Sequence, residues 1–392
     1  MSAKNPLPAL VEPASELSRD EVARYSRHLI VPDVGTVGQR RLKNARVLVI
    51  GAGGLGAPTL LYLAAAGVGT IGIVDFDVVD ESNLQRQVIH GTADVGRSKA
   101  RSARDSVREI NPYVDVRLHE FRLEAANAVA LFEQYDLILD GADNFATRYL
   151  VNDAAVLAGR PYVWGSIYRF QGQVSVFWDA APGDRSITLR DLYPEAPPPG
   201  AVPSCAEGGV LGVLPGTVGS IMATEAIKLI TGIGEPLLGS LMVYDALAMS
   251  CRKVRLSRDP DRVPVTELID YDAFCGVVPE TDVQADGTIT PSELRELIES
   301  GADIAIVDVR EPVEWDIVHL PGATLIPKDR ILSGDALAEL PQDKRIVLHC
   351  KTGIRSAEAL AAVRRAGFAD AVHLQGGVIA WAHQVDPSLP VY

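Results

Sequence analysis

The segment Arg46–Ile50 (RVLVI) leads directly into Gly51–Gly56 (GAGGLG), and this junction decides the fold of the first half of the chain. A helix-forming stretch, Ala57–Val68 (APTLLYLAAAGV), and a second apolar run, Thr70–Asp77 (TIGIVDFD), come next. Strand, glycine turn, helix and strand in this order predict a βαβ unit with a parallel sheet.

Apolar runs and helical stretches continue to alternate after this unit. We expect further strands near residues 114–118, 136–139 and 161–166. The pattern predicts a doubly wound, Rossmann-like α/β domain over residues 18–251. Its far end differs, because residues 171–178 (QGQVSVFW) and 241–256 (LMVYDALAMSCRKVRL) resemble longer antiparallel strands around a helix near Thr217–Thr231. We therefore expect a mixed, antiparallel extension of the sheet.

The alternation restarts near residue 290. Thr290 is the expected N-cap of a helix in TPSELRELIESG, and strands are expected in IAIVDVR, KRIVLHC and AVHLQ, with a helix in SAEALAAVRRAGF. These elements predict a second, smaller α/β domain over residues 288–392. Residues 1–17 are expected to form a flexible N-terminal arm, and residues 252–287 a linker. The proline- and glycine-rich segment 193–209 is expected to be a loop.

The composition excludes several classes of protein. The formal net charge of −14 argues against a nucleic-acid partner, because phosphate backbones attract the opposite charge. No apolar run is long enough for a membrane span, and the Pro-rich, acidic start does not resemble an export signal. Four widely separated cysteines do not suggest a disulfide scaffold, so we expect a cytoplasmic protein.

The glycine turn predicts a nucleotide site. Gly51, Gly53, Gly54 and Gly56 would let the backbone approach phosphates at a helix N-terminus. Asp75 ends the next strand, where a carboxylate can hold ribose hydroxyl groups. The motif does not distinguish ATP from a dinucleotide. The residues that follow favour ATP, because Asn83, Arg86, Lys99, Asp143 and Asn144 supply the cations and the acidic group that phosphates and Mg²⁺ require.

Six motifs together resemble the ubiquitin-activating-enzyme-like adenylyltransferases of molybdopterin and thiamine biosynthesis: RYSRH, GAGGLG, DFDVVDESNLQRQ, GRSKA, GADN and SCAEGGVLG. The resemblance implies that Gly54 binds phosphate and that Asp75 binds ribose. It also implies phosphate contacts from Lys99 and from the segment that comprises Ser82, Asn83, Leu84, Gln85 and Arg86. Asp143 would coordinate Mg²⁺ with Asn144 beside it. Arg27 would act as an arginine finger in the site of a partner subunit, which implies a homodimer.

The implied substrate is a small ubiquitin-like sulfur-carrier protein that ends in Gly-Gly. Its C-terminal carboxylate would attack the α-phosphate of ATP, giving an acyl-adenylate and pyrophosphate. This step needs positioning and neutralisation of charge but no protein nucleophile. The present chain ends in Leu-Pro-Val-Tyr, so it would be the activator and not the carrier.

Relatives of this kind usually bind a structural zinc ion through two C-x-x-C pairs, and this chain contains no C-x-x-C at all. Thr188–Asp191 aligns with the first pair. Cys205, Cys251 and Cys275 alone would give an incomplete and badly spaced set of ligands, so we expect no zinc. Cys205, in the proline–glycine loop, resembles the family cysteine that exchanges with the activated carrier.

Cys350 is the main candidate nucleophile. The sequence CKTGIR places Cys350 after an apolar run and Arg355 at the start of a helix. Backbone N–H groups that surround a sulfur at a helix N-terminus stabilise a thiolate or persulfide. The spacing C-x-x-x-x-R is one residue shorter than the loop of cysteine phosphatases. With the flanking motifs DVRE, HLPGA and QGG it resembles the rhodanese sulfurtransferases over residues 288–390.

The two resemblances together are typical of MoeB/MoeZ-type adenylyltransferase/sulfurtransferases. A Cys350 persulfide, formed from thiosulfate, would attack the adenylated carrier, and Cys205 would release the thiocarboxylate. Sulfur from a cysteine desulfurase persulfide is an alternative. Molybdopterin synthesis is the leading pathway, with thiamine, cysteine and tRNA-thiolation carriers as alternatives. Two other readings remain open: an NAD-dependent oxidoreductase, or a rhodanese-like domain that serves only as an interaction module.

Overall fold

A computed structural model describes residues 7–197, 208–275 and 287–392. The chain divides into two compact units, residues 1–277 and 278–392. Both units are α/β, as the sequence predicts. Within the described ranges, no helix is long and apolar enough to cross a membrane.

The first unit is built on an eight-stranded sheet with the strand order β3-β2-β1-β4-β5-β6-β7-β8. Strands β1 to β5 are parallel to one another, and β6, β7 and β8 each run antiparallel to the strand that precedes them. The bounds are β1 (Arg46–Ile50), β2 (Thr70–Val74), β3 (Asp115–His119), β4 (Leu137–Asp140), β5 (Tyr162–Tyr168), β6 (Gln171–Phe177), β7 (Ser240–Asp245) and β8 (Ser250–Arg255). The predicted doubly wound sheet with an antiparallel extension is confirmed.

Helices cover both faces of this sheet and form two apolar layers with it. They are α1 (Arg19–Arg24), α2 (Ser26–Leu29), α3 (Gly35–Asn44), α4 (Gly56–Ala66), α5 (Lys99–Ile110), α6 (Ala128–Phe132), α7 (Phe145–Leu157), α8 (Leu189–Leu192), α9 (Leu214–Thr231) and α10 (Tyr271–Phe274). Because β1 lies between β2 and β4 and under these helices, four of its five residues are buried. A continuous apolar run such as RVLVI is typical of a strand that is covered on both faces.

Two segments of the first unit are more ordered than the sequence predicts. Residues 7–17, expected to be a flexible arm, pack on the unit: Leu7 and Val11 are buried, and the amide of Leu10 donates to the carbonyl of Leu229 at 3.0 Å. The first part of the expected linker also packs there, since it contains the end of β8, the helix α10 and the buried Tyr271. Sparse apolar residues, rather than a periodic pattern, anchor both segments, which is why the sequence did not reveal them.

The second unit contains a five-stranded parallel sheet with the order β11-β10-β12-β13-β9. Its strands are β9 (Thr288–Ile289), β10 (Ile304–Asp308), β11 (Thr324–Leu325), β12 (Arg345–His349) and β13 (Val372–Leu374). Its helices are α11 (Pro291–Glu299), α12 (Pro312–Ile317), α13 (Lys328–Leu332), α14 (Ile354–Arg365) and α15 (Gly377–Gln384). The predicted cap of α11 is confirmed, because the Thr290 side chain accepts from the amide of Glu293 and the Glu293 carboxylate accepts from the amide of Thr290.

Candidate active sites

The glycine turn of the first unit lies at the carboxyl edge of the sheet between β1 and β4. This is the point at which the strand order reverses, and open α/β sheets bind ligands there. Gly51 has a φ of +86°, a conformation that L side chains rarely adopt. At Gly56 a Cβ atom would lie 1.9 Å from the carbonyl oxygen of Gly51. Both glycines are therefore required for the turn to close tightly onto the N-terminus of α4.

Two buried side chains fix the shape of this turn through Ala52. The Asp75 carboxylate accepts from the amide of Ala52 at 2.8 Å, and the Nε2 atom of His90 lies 3.0 Å from the carbonyl oxygen of Ala52. Burial lowers the pKa of His90, so the ring is neutral and its Nε2–H donates, while Nδ1 accepts from the Ser102 hydroxyl group at 2.8 Å. Asp75 was predicted from its place at the end of a strand, whereas His90 was not, because one histidine in a loop carries no spacing signal.

Cationic groups surround the turn. Lys99, at the start of α5, is almost fully buried, and its Nζ atom donates to Asp77 at 3.0 Å. Arg86 passes beside Gly54, where its Cγ would lie 3.8 Å from a Cβ atom, and its guanidinium donates to the carbonyl of Ser82 at 3.0 Å. The structure thus brings Asp75, Lys99, Arg86 and the glycine turn to one edge of the sheet.

The end of β4 completes this edge. Gly141 follows the strand, its amide donates to the carbonyl of Ile50 at 3.0 Å, and Asp143 and Asn144 come next with exposed side chains. Asn144 is the N-cap of α7 and accepts from the amide of Thr147 at 2.8 Å. Mg²⁺ is usually held by one or two carboxylates together with the phosphates of its substrate. An exposed Asp143 beside the glycine turn fits that donor set.

Asp140, the last residue of β4, is a further group that the sequence analysis missed. Its side chain is fully buried, Oδ1 accepts from the amide of Ala142 at 2.9 Å, and Oδ2 finds no partner among the described residues. Burial raises the pKa of Asp140 to about 6, against the opposing charge of Arg148. Arg148 is itself buried and donates twice to the carbonyl of Ala142, at 3.2 Å. Both residues support the backbone that carries Asp143.

Two predicted residues of the first unit lie elsewhere or outside the described ranges. Arg27 lies in α2 with an exposed side chain, and within the described part of the chain no contact ties it to the glycine turn. Cys205 falls in residues 198–207, which the structure does not describe. The remaining predicted residues, Ser82, Asn83, Leu84 and Gln85, form the short turn that leads to Arg86.

In the second unit, Cys350 lies directly after β12 in a loop that opens helix α14. Its thiol is 1% exposed, and Sγ accepts from the amide of Gly353 at 3.1 Å. Gly353 has a φ of +101° and is the N-cap of the helix, so the loop curls around the sulfur as the sequence predicts. The N-terminus of α14 points at this loop and favours negative charge there.

Arg355, the other predicted residue of this loop, is paired in a forked geometry. Its two guanidinium nitrogens donate to the two carboxylate oxygens of Glu314, each at 2.7 Å. Burial alone would raise the pKa of Glu314, but the ion pair with Arg355 outweighs burial and lowers it. Tyr392 joins this pair, because its hydroxyl group donates to Glu314 at 2.8 Å and its ring lies 4.6 Å from the Nζ atom of Lys351.

A second helix supports the back of the Cys350 loop. The amide of Val378, in α15, donates to the carbonyl of Cys350 at 2.9 Å, and the amide of Ile379 donates to that of Lys351 at 3.2 Å. Gly377 has a φ of +58°, and a Cβ atom there would lie 2.4 Å from the Cys350 oxygen. Gly377 of the motif QGG therefore allows the backbone of α15 to approach the Cys350 loop closely.

His349, next to Cys350 in β12, is fully buried, and neither ring nitrogen is placed for a hydrogen bond within the described residues, although Nε2 lies 3.7 Å from Oδ2 of Asp308. Burial lowers the pKa of His349 to about 4, despite the nearby carboxylate of Asp308. Asp308 itself pairs with the fully buried Arg310. The histidine is therefore neutral near pH 7.

The described cysteines of the first unit do not lie in pairs that could bind zinc. Cys251 is exposed on β8, and Cys275 lies half-buried beside α10. Across the described ranges, no three His, Cys, Asp or Glu side chains are gathered in a way that could hold a metal ion. Thr188 and Asp191 are joined to Arg262 instead, by a hydrogen bond and an ion pair.

Comparison with known families matches residues 25–265 to the ThiF family and residues 290–384 to the rhodanese-like domain. The first match covers more than half of the chain. The chain belongs to the ThiF family. It carries in addition a rhodanese-like domain, and that domain contains the Cys350 loop.

Curated relatives share both halves. The chain is 72% identical to the probable adenylyltransferase/sulfurtransferase MoeZ of Mycobacterium tuberculosis, over 98% of this chain and 99% of that one. It is 40% identical to the adenylyltransferase and sulfurtransferase MOCS3 of Mus musculus, over 98% and 90% of the two chains. The sulfur carrier protein adenylyltransferase of Thermus thermophilus is 53% identical over 66% of this chain and 98% of its own.

Solved structures show the fold alone. The crystal structure of MccB from E. coli matches with a TM-score of 0.56 at 21% identity, over 64% of this chain and 75% of that one. The full-length relatives, by contrast, identify the activities. This ThiF-family protein is an enzyme with adenylyltransferase and sulfurtransferase activities, which decides against the nicotinamide-dependent alternative.

Proposed function

We propose that the enzyme uses ATP to adenylate the C-terminal glycine of a small ubiquitin-like sulfur-carrier protein and then converts that glycine to a thiocarboxylate. The observation that carries this proposal is the presence of two distinct anion sites on one chain. A glycine turn at the switch point of the first sheet suits phosphates, and a cysteine loop at a helix N-terminus in the second unit suits a persulfide.

In the adenylation step, each residue at the glycine turn has a separate task. The turn and the N-terminus of α4 bind phosphate oxygens, Asp75 holds the ribose, and Lys99 and Arg86 neutralise the phosphates. Asp143, with Asn144 beside it, would hold Mg²⁺, which would shield the phosphate charge when it is bound. The carrier carboxylate attacks the α-phosphorus, the bond to the β-phosphate oxygen breaks, and pyrophosphate leaves. Positioning and charge neutralisation account for the catalysis.

We also propose that the enzyme is a homodimer in which Arg27 of each chain reaches the site of the other. Arg27 is exposed on α2, and the surface beside it is apolar: Ile30 is 68% exposed and Val37 is 51% exposed. Exposed apolar side chains around a single cation suit a surface that is covered in an assembly. Arginine is suited to this role because its guanidinium binds phosphate oxygens in pairs.

For the sulfur step, the Cys350 thiolate attacks the outer sulfur of thiosulfate, sulfite leaves, and a Cys350 persulfide remains. The terminal sulfur of the persulfide then attacks the acyl carbon of the carrier adenylate and AMP leaves, giving an acyl disulfide. A second thiol, for which we propose Cys205, attacks the Cys350 sulfur. This releases the carrier thiocarboxylate and leaves a disulfide that an external thiol must reduce.

Molybdopterin synthesis is the pathway that we favour for the carrier, and the cytoplasm is the compartment that we propose. The 72% identical relative and the mouse relative both bear the combined name of adenylyltransferase and sulfurtransferase. A carrier of thiamine, cysteine or tRNA thiolation is the alternative. The acidic charge of the chain supports a protein partner over a nucleic acid.

Mass spectrometry of candidate carriers tests the proposal. Each purified Gly-Gly carrier is incubated with the enzyme, ATP, Mg²⁺ and thiosulfate. The correct carrier is expected to gain the mass difference between an oxygen and a sulfur atom, and only when ATP is present. A parallel reaction in which a cysteine desulfurase and cysteine replace thiosulfate identifies the donor. If no Gly-Gly carrier supports ATP–pyrophosphate exchange, the proposal is wrong.

A further inference from the structure

Three separate segments of the first unit meet at the far end of its sheet. The first is a hairpin, in which Trp178 and Ile187 pair through two backbone hydrogen bonds. The second is α8 with its preceding residue Thr188. The third is a turn at residues 259–262, which follows β8 by a few residues. None of these segments is long enough to hold its position by its own hydrogen bonds, so some other interaction must join them.

A single guanidinium group makes that connection. Arg262 forms ion pairs with Asp179 on the hairpin and with Asp191 on α8, and it donates to the hydroxyl group of Thr188 at 3.1 Å. The side chain of Arg262 is 9% exposed and that of Asp191 is 0% exposed. We refer to Asp179, Asp191 and Arg262 as the arginine staple.

The backbone reinforces the staple at Asp191. One oxygen of this carboxylate accepts from the amide of Asp259 at 2.9 Å, and the other accepts from the amide of Thr188 at 2.7 Å. Asp191 is therefore in contact with positions 188, 259 and 262. These positions form two pairs, 188 with 191 and 259 with 262, and two residues separate the members of each pair. Two C-x-x-C pairs around one zinc ion have the same spacing.

The residues at these positions do not fit a zinc ion. Zinc in structural sites is held by four thiolate or imidazole ligands, and this place holds a threonine, two aspartates and an arginine. The guanidinium is a cation that would repel the metal, and it already satisfies the carboxylates. We infer that the arginine staple stabilises this end of the domain in place of the zinc ion that relatives bind, and that the protein folds there without any metal.

The staple also fixes the start of the segment that leads towards Cys205. Its partner helix α8 is held a second time, because Arg190 donates to both oxygens of the buried Asp153, at 2.9 and 2.7 Å. The amide of Leu189 donates to Asn152 at 2.8 Å. Residues 193–197 then continue from a helix that two independent charged contacts hold in place.

Metal analysis and calorimetry of the whole chain test this inference. The purified wild-type protein is expected to contain no stoichiometric zinc, and the zinc-selective chelator TPEN, added in the presence of Mg²⁺, should leave its Tm unchanged. Arg262→Ala should lower the Tm of the first unit by about 10 °C, because it leaves the buried carboxylate of Asp191 without its cation. Arg262→Lys should recover part of this loss, since a lysine keeps the charge but not the forked geometry.

Arg258→Ala is the matched control, because Arg258 lies on the same segment with an exposed side chain. Equal Tm values for Arg258→Ala and Arg262→Ala would overturn the inference. One zinc per wild-type chain, with a Tm that falls on chelation, would overturn it as well.

A variant with four cysteines tests whether positions 188, 191, 259 and 262 correspond to the four ligand positions of a zinc site. Combining Thr188→Cys, Asp191→Cys, Asp259→Cys and Arg262→Cys should create a site that binds one zinc ion per chain. In this variant TPEN should lower the Tm, in contrast to the wild type. A folded quadruple variant that binds no zinc would contradict the correspondence between the staple and a zinc site.

Discussion

The glycine turn after β1 and the cysteine loop after β12 are built on one plan. Each follows a buried parallel strand, contains a glycine with positive φ and opens a helix, so each places a helix N-terminus where an anion is favoured. They differ in where the reactive group resides. The glycine turn holds no nucleophile and leaves Gly53 and Gly54 partly exposed for a ligand, whereas the cysteine loop encloses a sulfur that is 1% exposed.

This difference teaches that the same strand–loop–helix geometry serves either a diffusible substrate or a covalent carrier of sulfur. The glycine turn is held in shape by Asp75 and His90, which contact the backbone of Ala52. The cysteine loop is held by α15 and by the Glu314–Arg355 pair. A substitution among the residues that support one loop should therefore change the conformation of that loop and leave the other loop unchanged.

The largest expected effect is the separation of the two activities. Cys350→Ala should abolish thiocarboxylate formation and leave ATP–pyrophosphate exchange within about twofold of wild type, because the sulfur nucleophile takes no part in adenylation. Asp143→Ala should do the opposite, lowering exchange by about 10²- to 10³-fold while thiosulfate sulfurtransfer continues. Both activities are measured on each variant. A joint loss in either variant would show that the two loops are not independent.

A smaller effect is expected from Gly377→Ala. The added Cβ would lie 2.4 Å from the Cys350 oxygen and 2.5 Å from the Lys351 oxygen, so the cysteine loop must shift. Sulfur transfer should fall by about 10- to 100-fold, because displacements near 1 Å have effects of that size. Gly301→Ala is the control, since Gly301 also has positive φ but open space around it. An equal loss in both variants would indicate general strain in place of loop displacement.

The two sites should also respond to acid in opposite directions. Asp140 has a folded-state pKa of about 6, above its usual value, so the folded first unit takes up this proton and gains stability as pH falls through 6. His349 has a folded-state pKa of about 4, below its usual value, so the second unit loses stability as pH falls below about 6.5. Each effect amounts to about 3 kcal/mol when complete.

Urea unfolding of wild type, Asp140→Asn and His349→Gln between pH 4.5 and 7.5 measures both effects. Relative to Asp140→Asn, the wild-type free energy of unfolding should rise on acidification. Relative to His349→Gln, it should fall. Differences of the same sign for the two variants would refute the assignment of these groups.

The smallest expected effect is that of Tyr392→Phe. This change removes the hydroxyl group that donates to Glu314 and accepts from Arg310, and it leaves the aromatic ring over Lys351 in place. Loss of these two hydrogen bonds should lower kcat/KM for thiosulfate by about threefold, through a less well positioned Arg355. Val391→Ala, at the neighbouring half-exposed residue, should have no effect. Equal kinetics for the two variants would mean that Tyr392 does not position the loop.

The sequence predicted the two α/β units, the strand before each loop and the helix after it, because buried parallel strands and glycine turns leave local patterns. It also identified Cys350, Arg355 and the residues around GAGGLG. It did not reveal His90, Asp140, Glu314 as the partner of Arg355, or Tyr392. His90, Glu314 and Tyr392 act through partners that are distant along the chain, and Asp140 is set apart by its complete burial. No local spacing records either property. The packing of residues 7–17 was missed for the same reason.

The arginine staple changes what this enzyme requires from its surroundings. A metal ion must be acquired from a limited cellular pool, and thiolate ligands must be kept reduced until it arrives. The guanidinium of Arg262 is instead synthesised with the chain, and it can be neither stripped by a competing chelator nor lost to oxidation. In a cell deprived of zinc, newly made copies of this enzyme would mature at an undiminished rate.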